Sequence, residues 1–98
     1  MTTEYIATTV TAYDGSYEPT DDIVIGSYST LELAKKAVRN NMEFHYRIIN
    51  EEDDESVAEL LEQEMVCENG TYSIFDEGIN QIWMIIETVK DYIPTYEY

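Results

Sequence analysis

Between Ser29 and Leu33 the apolar period of this chain changes, and no other feature limits its fold as much. Before that point Ile23 and Ile25 alternate with Val24, the two-residue period of a strand. After it Leu31, Ala34, Val38, Met42, His45 and Ile49 recur at steps of three and four, one stripe of a helix. Ser29-Thr30-Leu31-Glu32 matches a capping box, in which the Ser29 hydroxyl accepts from the Glu32 amide and the Glu32 carboxylate reaches back. Tyr28 and Leu33 stand where a hydrophobic staple would pack. The spacing predicts a strand over residues 22–28 leading directly into a helix over residues 30–49.

The other elements follow from the same criteria. Residues 4–12 are rich in β-branched side chains, with Ile6 and Val10 on one face, and predict a first strand. Asp14-Gly15 and Glu18-Pro19 mark the segment between the two strands as a loop, so the pair reads as an antiparallel hairpin with a long tip. The acidic stretch 50–55 ends the first helix. Ser56-Val57-Ala58-Glu59 offers a second capping box, and Val57, Leu60, Leu61 and Met65 follow at helical spacing. Glu68-Asn69-Gly70-Thr71 suits either a helix C-cap or a two-residue hairpin turn. The reading adopted is a helix to about Met65 and then a turn into a strand over 71–75. Asp76-Glu77-Gly78 is a turn. Residues 81–89 alternate Ile82, Met84 and Ile86 against Trp83 and Ile85, the most β-like segment of the chain, and the tail 92–98 reads as extended. The order β-β-α-α-β-β predicts a single α+β domain over residues 1–98, a four-stranded antiparallel sheet with the helices packed on one face. Its expected core is Ile6, Val10, Ile23, Ile25, Leu31, Ala34, Val38, Ile82, Trp83, Met84 and Ile86.

Charge bears on function. The chain carries 21 Asp and Glu against 5 Lys and Arg, a formal net charge of -16. Solubility of a small domain needs a magnitude of only ~2–8. Because apolar residues make up 44% of the chain, the excess does not imply disorder. Such a field repels nucleic acid and anionic lipid and attracts basic surfaces. The single cysteine, Cys67, rules out an internal disulfide and reads as a small packed apolar residue. Met1-Thr2-Thr3-Glu4 lacks the features of a signal peptide, and the apolar run Ile82–Ile86 is far short of a membrane span, so the expected location is the cytoplasm.

Catalytic signatures are missing. One histidine and one cysteine give no recognisable zinc spacing, and His45, on the helical stripe, reads as structural. Glu51-Glu52-Asp53-Asp54-Glu55 lacks the interleaved ligands and glycine of a calcium loop. No glycine-rich phosphate loop is present. The expectation is a chain with no enzymatic activity, metal or cofactor.

The acids themselves are patterned. Glu52, Glu55, Glu59 and Glu62 recur at three- and four-residue steps and line one face if the second helix begins early. Neighbours on that face stand ~5–6 Å apart, a spacing that resembles phosphates along a nucleic-acid strand. In the first loop, Tyr13 and Tyr17 beside Asp14, Glu18, Asp21 and Asp22 offer aromatic anchors among carboxylates. Candidate partner-binding residues are therefore Tyr13, Asp14, Tyr17, Glu18, Asp21, Asp22, Glu51, Glu52, Asp53, Asp54, Glu55, Glu59 and Glu62. Lys35, Lys36 and Arg39 read as local balance for the acids, for example Lys36 with Glu32.

The run from Ile23 to Val38, Ile-Val-Ile-Gly-Ser-Tyr-Ser-Thr-Leu-Glu-Leu-Ala-Lys-Lys-Ala-Val, after a strand and an Asp-Gly loop, resembles small proteins of phages and prophages. It is similar to acidic anti-CRISPR inhibitors of CRISPR effector nucleases, some of which imitate DNA. The resemblance covers about the first 40 residues, lies mostly in a strand-to-helix junction, and carries over no site residues. It implies a phage protein acting in a bacterial host, as monomer or homodimer, by placing its acidic surface in the nuclease's nucleic-acid-binding groove. An acidic assembly module is the alternative, forming a homo-oligomer through a sheet edge or the Ile82–Ile86 strand.

Overall fold

A computed structural model describes residues 2–11 and 23–90, the side chains of Thr2 and Lys90 excepted. The elements are β1 (Thr2–Thr11), β2 (Ile23–Tyr28), α1 (Leu31–Phe44), a π-helical turn (His45–Ile49), α2 (Asp54–Leu61), β3 (Val66–Glu68), β4 (Thr71–Asp76) and β5 (Gln81–Lys90). The α+β class is as expected, but the sheet has five strands in the order β2-β1-β5-β4-β3, all pairs antiparallel. The additional strand is β3. Asn69 and Gly70 both take positive φ, 51° and 78°, so Glu68–Thr71 is a hairpin turn of the type that matches strand twist. The chain before it is therefore strand, and α2 ends at Leu61, earlier than its apolar spacing suggests.

Both helices start on caps other than those the capping boxes indicate. Thr30, not Ser29, caps α1, its hydroxyl accepting from the Leu33 amide at 3.3 Å. Leu33 consequently lies outside the staple position and is exposed. Asp53, not Ser56, caps α2 by accepting from the Ser56 amide at 2.7 Å. The first helix spans its predicted length only by widening. Asn50 donates to the His45 carbonyl at 3.0 Å, an i→i+5 bond, and this larger turn takes Ile49 off the stripe and leaves it exposed. Tyr46 is the buried residue there.

The core lies between the helices and one face of the sheet. Ala34, Val38, Met42, Tyr46 and Val57 pack with Ala7, Ile74, Trp83 and Ile85. Register places these strand residues together, since Ala7 pairs Ile85 and Ile74 pairs Trp83. Strand β1 thus turns Ala7 toward the helices, and Ile6 and Val10 occupy the opposite face with Ile82, Met84 and Ile86. Small residues suit this end of the sheet. Gly26 is the cross-strand neighbour of Ala7, and a Cβ on it would collide with the Tyr28 ring that lies over it. Of the expected core, Val10, Ala34, Val38, Trp83 and Met84 are buried, and Ile6, Ile25, Leu31 and Ile82 are half-buried. Ile23, 66% exposed on an edge strand, and Ile86 are not core residues.

Of the buried polar side chains of the sheet, Thr9 and Gln81 are satisfied within it, whereas the Thr8 hydroxyl has no hydrogen-bond partner among the described residues. Gln81 Nε2 donates to Thr9 Oγ1 at 2.7 Å, and that hydroxyl donates to the Ile82 carbonyl at 2.9 Å. Trp83 Nε1 donates to Asn41 Oδ1 at 2.9 Å, which ties β5 to α1. His45 is half-buried and meets the Trp83 ring edge-on at 5.7 Å, a structural place consistent with its position on the stripe. Cys67, by contrast, is exposed and not packed in the core, because it lies on β3, a three-residue strand at the end of the sheet whose residues are all exposed. No helix among the described residues is long and apolar enough to cross a membrane.

Candidate protein-binding surface

The acidic residues from Glu51 to Glu62 surround α2, and the structure divides them into two groups. Asp53 and Asp54 serve the fold. The Asp53 carboxylate caps α2, and the hydrogen bond from Ser56 holds it below the usual Asp range. Asp54 pairs with Arg47, which also holds Glu43 at 2.9 Å, so this guanidinium joins the π-helical turn to the start of α2. Asp54 and Glu55 in the first turn also face the positive end of the helix dipole. Glu51 occupies a left-handed backbone position, φ 53°, at the bend between the helices.

Glu52, Glu55, Glu59 and Glu62 form the second group. All four are exposed, and none of their carboxylates has a hydrogen bond or ion pair among the described residues. Glu55 and Glu59 lie one turn apart on α2, Glu62 is its C-cap, and Glu52 precedes its N-cap. The first three fall on one helical flank as the spacing predicts, whereas Glu52 belongs to the loop. Glu52 and Glu59 nevertheless meet in a shallow recess of about 450 Å³ that also involves Ser56, Leu60 and Gln63. A row of unpaired like charges on a helix is mildly destabilising. Among the described residues the fold uses none of these four carboxylates for a hydrogen bond or an ion pair.

An apolar neighbour to this surface is not singled out by the helical stripe. Phe44, Ile48 and Ile49 are 51%, 66% and 56% exposed on the turns that lead into the acidic bend. Phe44 and Ile48 stand four residues apart, off the buried stripe, and that spacing is the signal in the sequence that marks them. The other half of the expected site, Tyr13, Asp14, Tyr17, Glu18, Asp21 and Asp22, lies outside the described residues.

Comparison with known proteins finds no matching family, no relative and no similar solved structure.

The expected Lys36–Glu32 ion pair is absent: among the described residues the only ion pairs are those of Arg47. Two long exposed side chains gain too little in water to be held together. No three His, Cys, Asp or Glu side chains among the described residues converge into a group that could hold a metal ion. What the α2 region offers chemically is a fixed array of carboxylates beside exposed apolar side chains.

Proposed function

We propose that this chain is a protein-binding inhibitor whose α2 region docks into a basic, nucleic-acid-binding groove of another protein. The carrying observation is that Glu52, Glu55, Glu59 and Glu62 are exposed and have no hydrogen-bond or ion-pair partner among the described residues, on a chain of net charge -16. Carboxylates held on a helix can replace phosphates against arginines and lysines, displacing the groove's counterions as nucleic acid does. Phe44, Ile48 and Ile49 supply apolar contact area at the margin, where charge alone gives little affinity. Tyr13, Asp14, Tyr17, Glu18, Asp21 and Asp22 are further candidate contacts in this reading. The resemblance at residues 23–38 points to an anti-CRISPR protein of phage origin, acting in the host cytoplasm on a CRISPR effector nuclease and having no catalytic activity of its own.

The test is co-precipitation with a guide-loaded effector nuclease at low and high salt, with target DNA as competitor. Capture that weakens steeply with salt and is displaced by DNA supports the reading. Absent binding sinks the choice of target, and salt-insensitive binding sinks the electrostatic mechanism.

A second reading, homo-oligomerisation, draws on the sheet edges. Ile23 and Val24 on β2 and Val66 on β3 are exposed, and these two strands end the sheet among the described residues. Strand β5, which carries Ile82–Ile86, pairs on both sides with β1 and β4, so the version of this reading that uses its edge is closed. Sedimentation at micromolar concentration tests this second reading, since a monomer disposes of it and leaves the inhibitor reading standing.

A further inference from the structure

Three of the chain's five basic residues, Lys35, Lys36 and Arg39, form no ion pair among the described residues despite 21 acids. Two of them line a cavity of about 300 Å³. Lys35, Val38 and Arg39 of α1 form one wall, Ile74 of β4 the floor, and Glu64 and Met65, between α2 and β3, the rim. Val38 and Ile74 are buried and Met65 is half-buried, so of the apolar lining residues Met65 presents the most open surface. Both cations are held by uncharged partners. Arg39 Nη1 donates to the Leu61 carbonyl at the end of α2, and Lys35 Nζ sits over the Tyr72 ring, 5.6 Å from its centroid. A carbonyl and a ring face fix the positions of these groups without cancelling their charge.

We propose that this cavity binds a small organic carboxylate with a compact apolar body. The carboxylate lies between the Lys35 ammonium and the Arg39 guanidinium, and the apolar body packs against Met65, with the buried Val38 and Ile74 behind it. The volume sits at the lower end of the ~300–1,000 Å³ usual for ligand pockets, which limits the ligand to a compact one. Arg39 keeps N–H donors beyond the one given to Leu61, and a guanidinium fork suits a carboxylate. Glu64 on the rim opposes a dianion such as phosphate, and so does the net charge of the whole chain. Selection therefore rests on short-range contacts: one negative charge, and apolar surface to bury. The site is separate from the α2 carboxylates and does not depend on the inhibitor reading.

Phenylacetate titrated into the isotope-labelled full chain tests this by NMR, with phenethylamine and inorganic phosphate as comparison probes. Saturable shifts are expected at the Val38, Met65 and Ile74 methyl groups, with no comparable response to either other probe. Lys35→Gln and Arg39→Gln are each expected to weaken phenylacetate binding by about tenfold, the loss of a charge-assisted hydrogen bond. Arg39→Gln also removes the bond to Leu61, so Lys35→Gln, which leaves that bond in place, is the deciding variant. No saturation at tens of millimolar, equal binding of phenethylamine or phosphate, or unchanged affinity in Lys35→Gln overturns the proposal.

Discussion

Tyr46 Oη donates to Asp76 Oδ2 at 2.8 Å, joining the π-helical turn to the end of β4 across the edge of the core. The Tyr46 ring is fully buried, and burial, reinforced by the neighbouring carboxylate, raises its hydroxyl pKa well above the ordinary value. Tyr46→Phe keeps the apolar contact and removes the donor, so it is expected to cost about 1–2 kcal/mol in urea unfolding. The pH dependence has a definite sign. The folded chain keeps this proton where the unfolded chain loses it, so the stability contribution is complete below pH ~10 and declines as pH rises above that. Tyr46→Phe should flatten that alkaline decline. If wild type and variant lose stability in parallel above pH ~10, the buried hydroxyl is not the cause.

His45 acts at the acid side. Its pKa is lowered by burial, so the unfolded chain takes up a proton, near pH ~6.5, before the folded chain does. Its contribution is complete above pH ~6.5 and is lost as pH falls from there through the folded value. As the one histidine in the chain, it can be followed directly by NMR, and a midpoint at or above the ordinary value would contradict the assignment. His45→Phe, which preserves an aromatic contact with Trp83, should remove this part of the acid sensitivity.

Charge reversal separates a shaped surface from mere acidity. Replacing Glu52, Glu55, Glu59 and Glu62 by Lys should abolish partner binding and leave the circular dichroism spectrum unchanged, because none of these carboxylates makes a hydrogen bond or ion pair among the described residues. Replacing the exposed Glu32, Glu68, Glu77 and Glu87 changes the net charge equally and should weaken binding far less. Equal losses would mean that the long-range field matters and the α2 surface does not.

Gly70 tests the hairpin that makes the fifth strand. Nothing lies within 4 Å of where its Cβ would stand, so any cost of substitution comes from the backbone at φ 78°. Gly70→Val should lose about 1–2 kcal/mol, and Gly70→Asn much less, since Asn tolerates the left-handed region. Equal melting temperatures for the two variants would remove the turn assignment.

Val38→Asp places an unpaired carboxylate at the centre of the helix–sheet core, where the valine is fully buried. The cost of several kcal/mol is comparable with a total stability of ~5–15 kcal/mol, so the variant should be unfolded at room temperature. A cooperative melt at the wild-type temperature would place α1 on a different face.

The features that sequence determined are those set by short-range physics. The helical stripe through Ala34, Val38 and Met42 depends on spacing within one element, and the Asn69-Gly70 turn on the backbone freedom of those two residues. The choice between a helix cap and a hairpin at that turn remained open in the sequence, because either use of positive φ satisfies the same residues. Pairing across the sheet closed it. The face of each central strand is another matter. Strand β5 is apolar on both sides, with Ile82, Met84 and Ile86 against Trp83 and Ile85, so hydrophobicity alone has no basis for choosing between them. The tertiary structure sends Trp83 and Ile85 to the helices, where Asn41 accepts the indole proton and Ala7, across the strand pair, leaves room for α1. Acidity was evident from composition, and so was its spacing along α2. Which carboxylates are free was not, because that depends on whether Arg47 reaches Asp54 and whether Asp53 turns back to cap α2. Lys35 and Arg39 likewise meet Ile74 only once β4 lies beneath α1. Contacts between residues far apart in the chain depend on how elements pack, and the local periods of a sequence do not encode that packing.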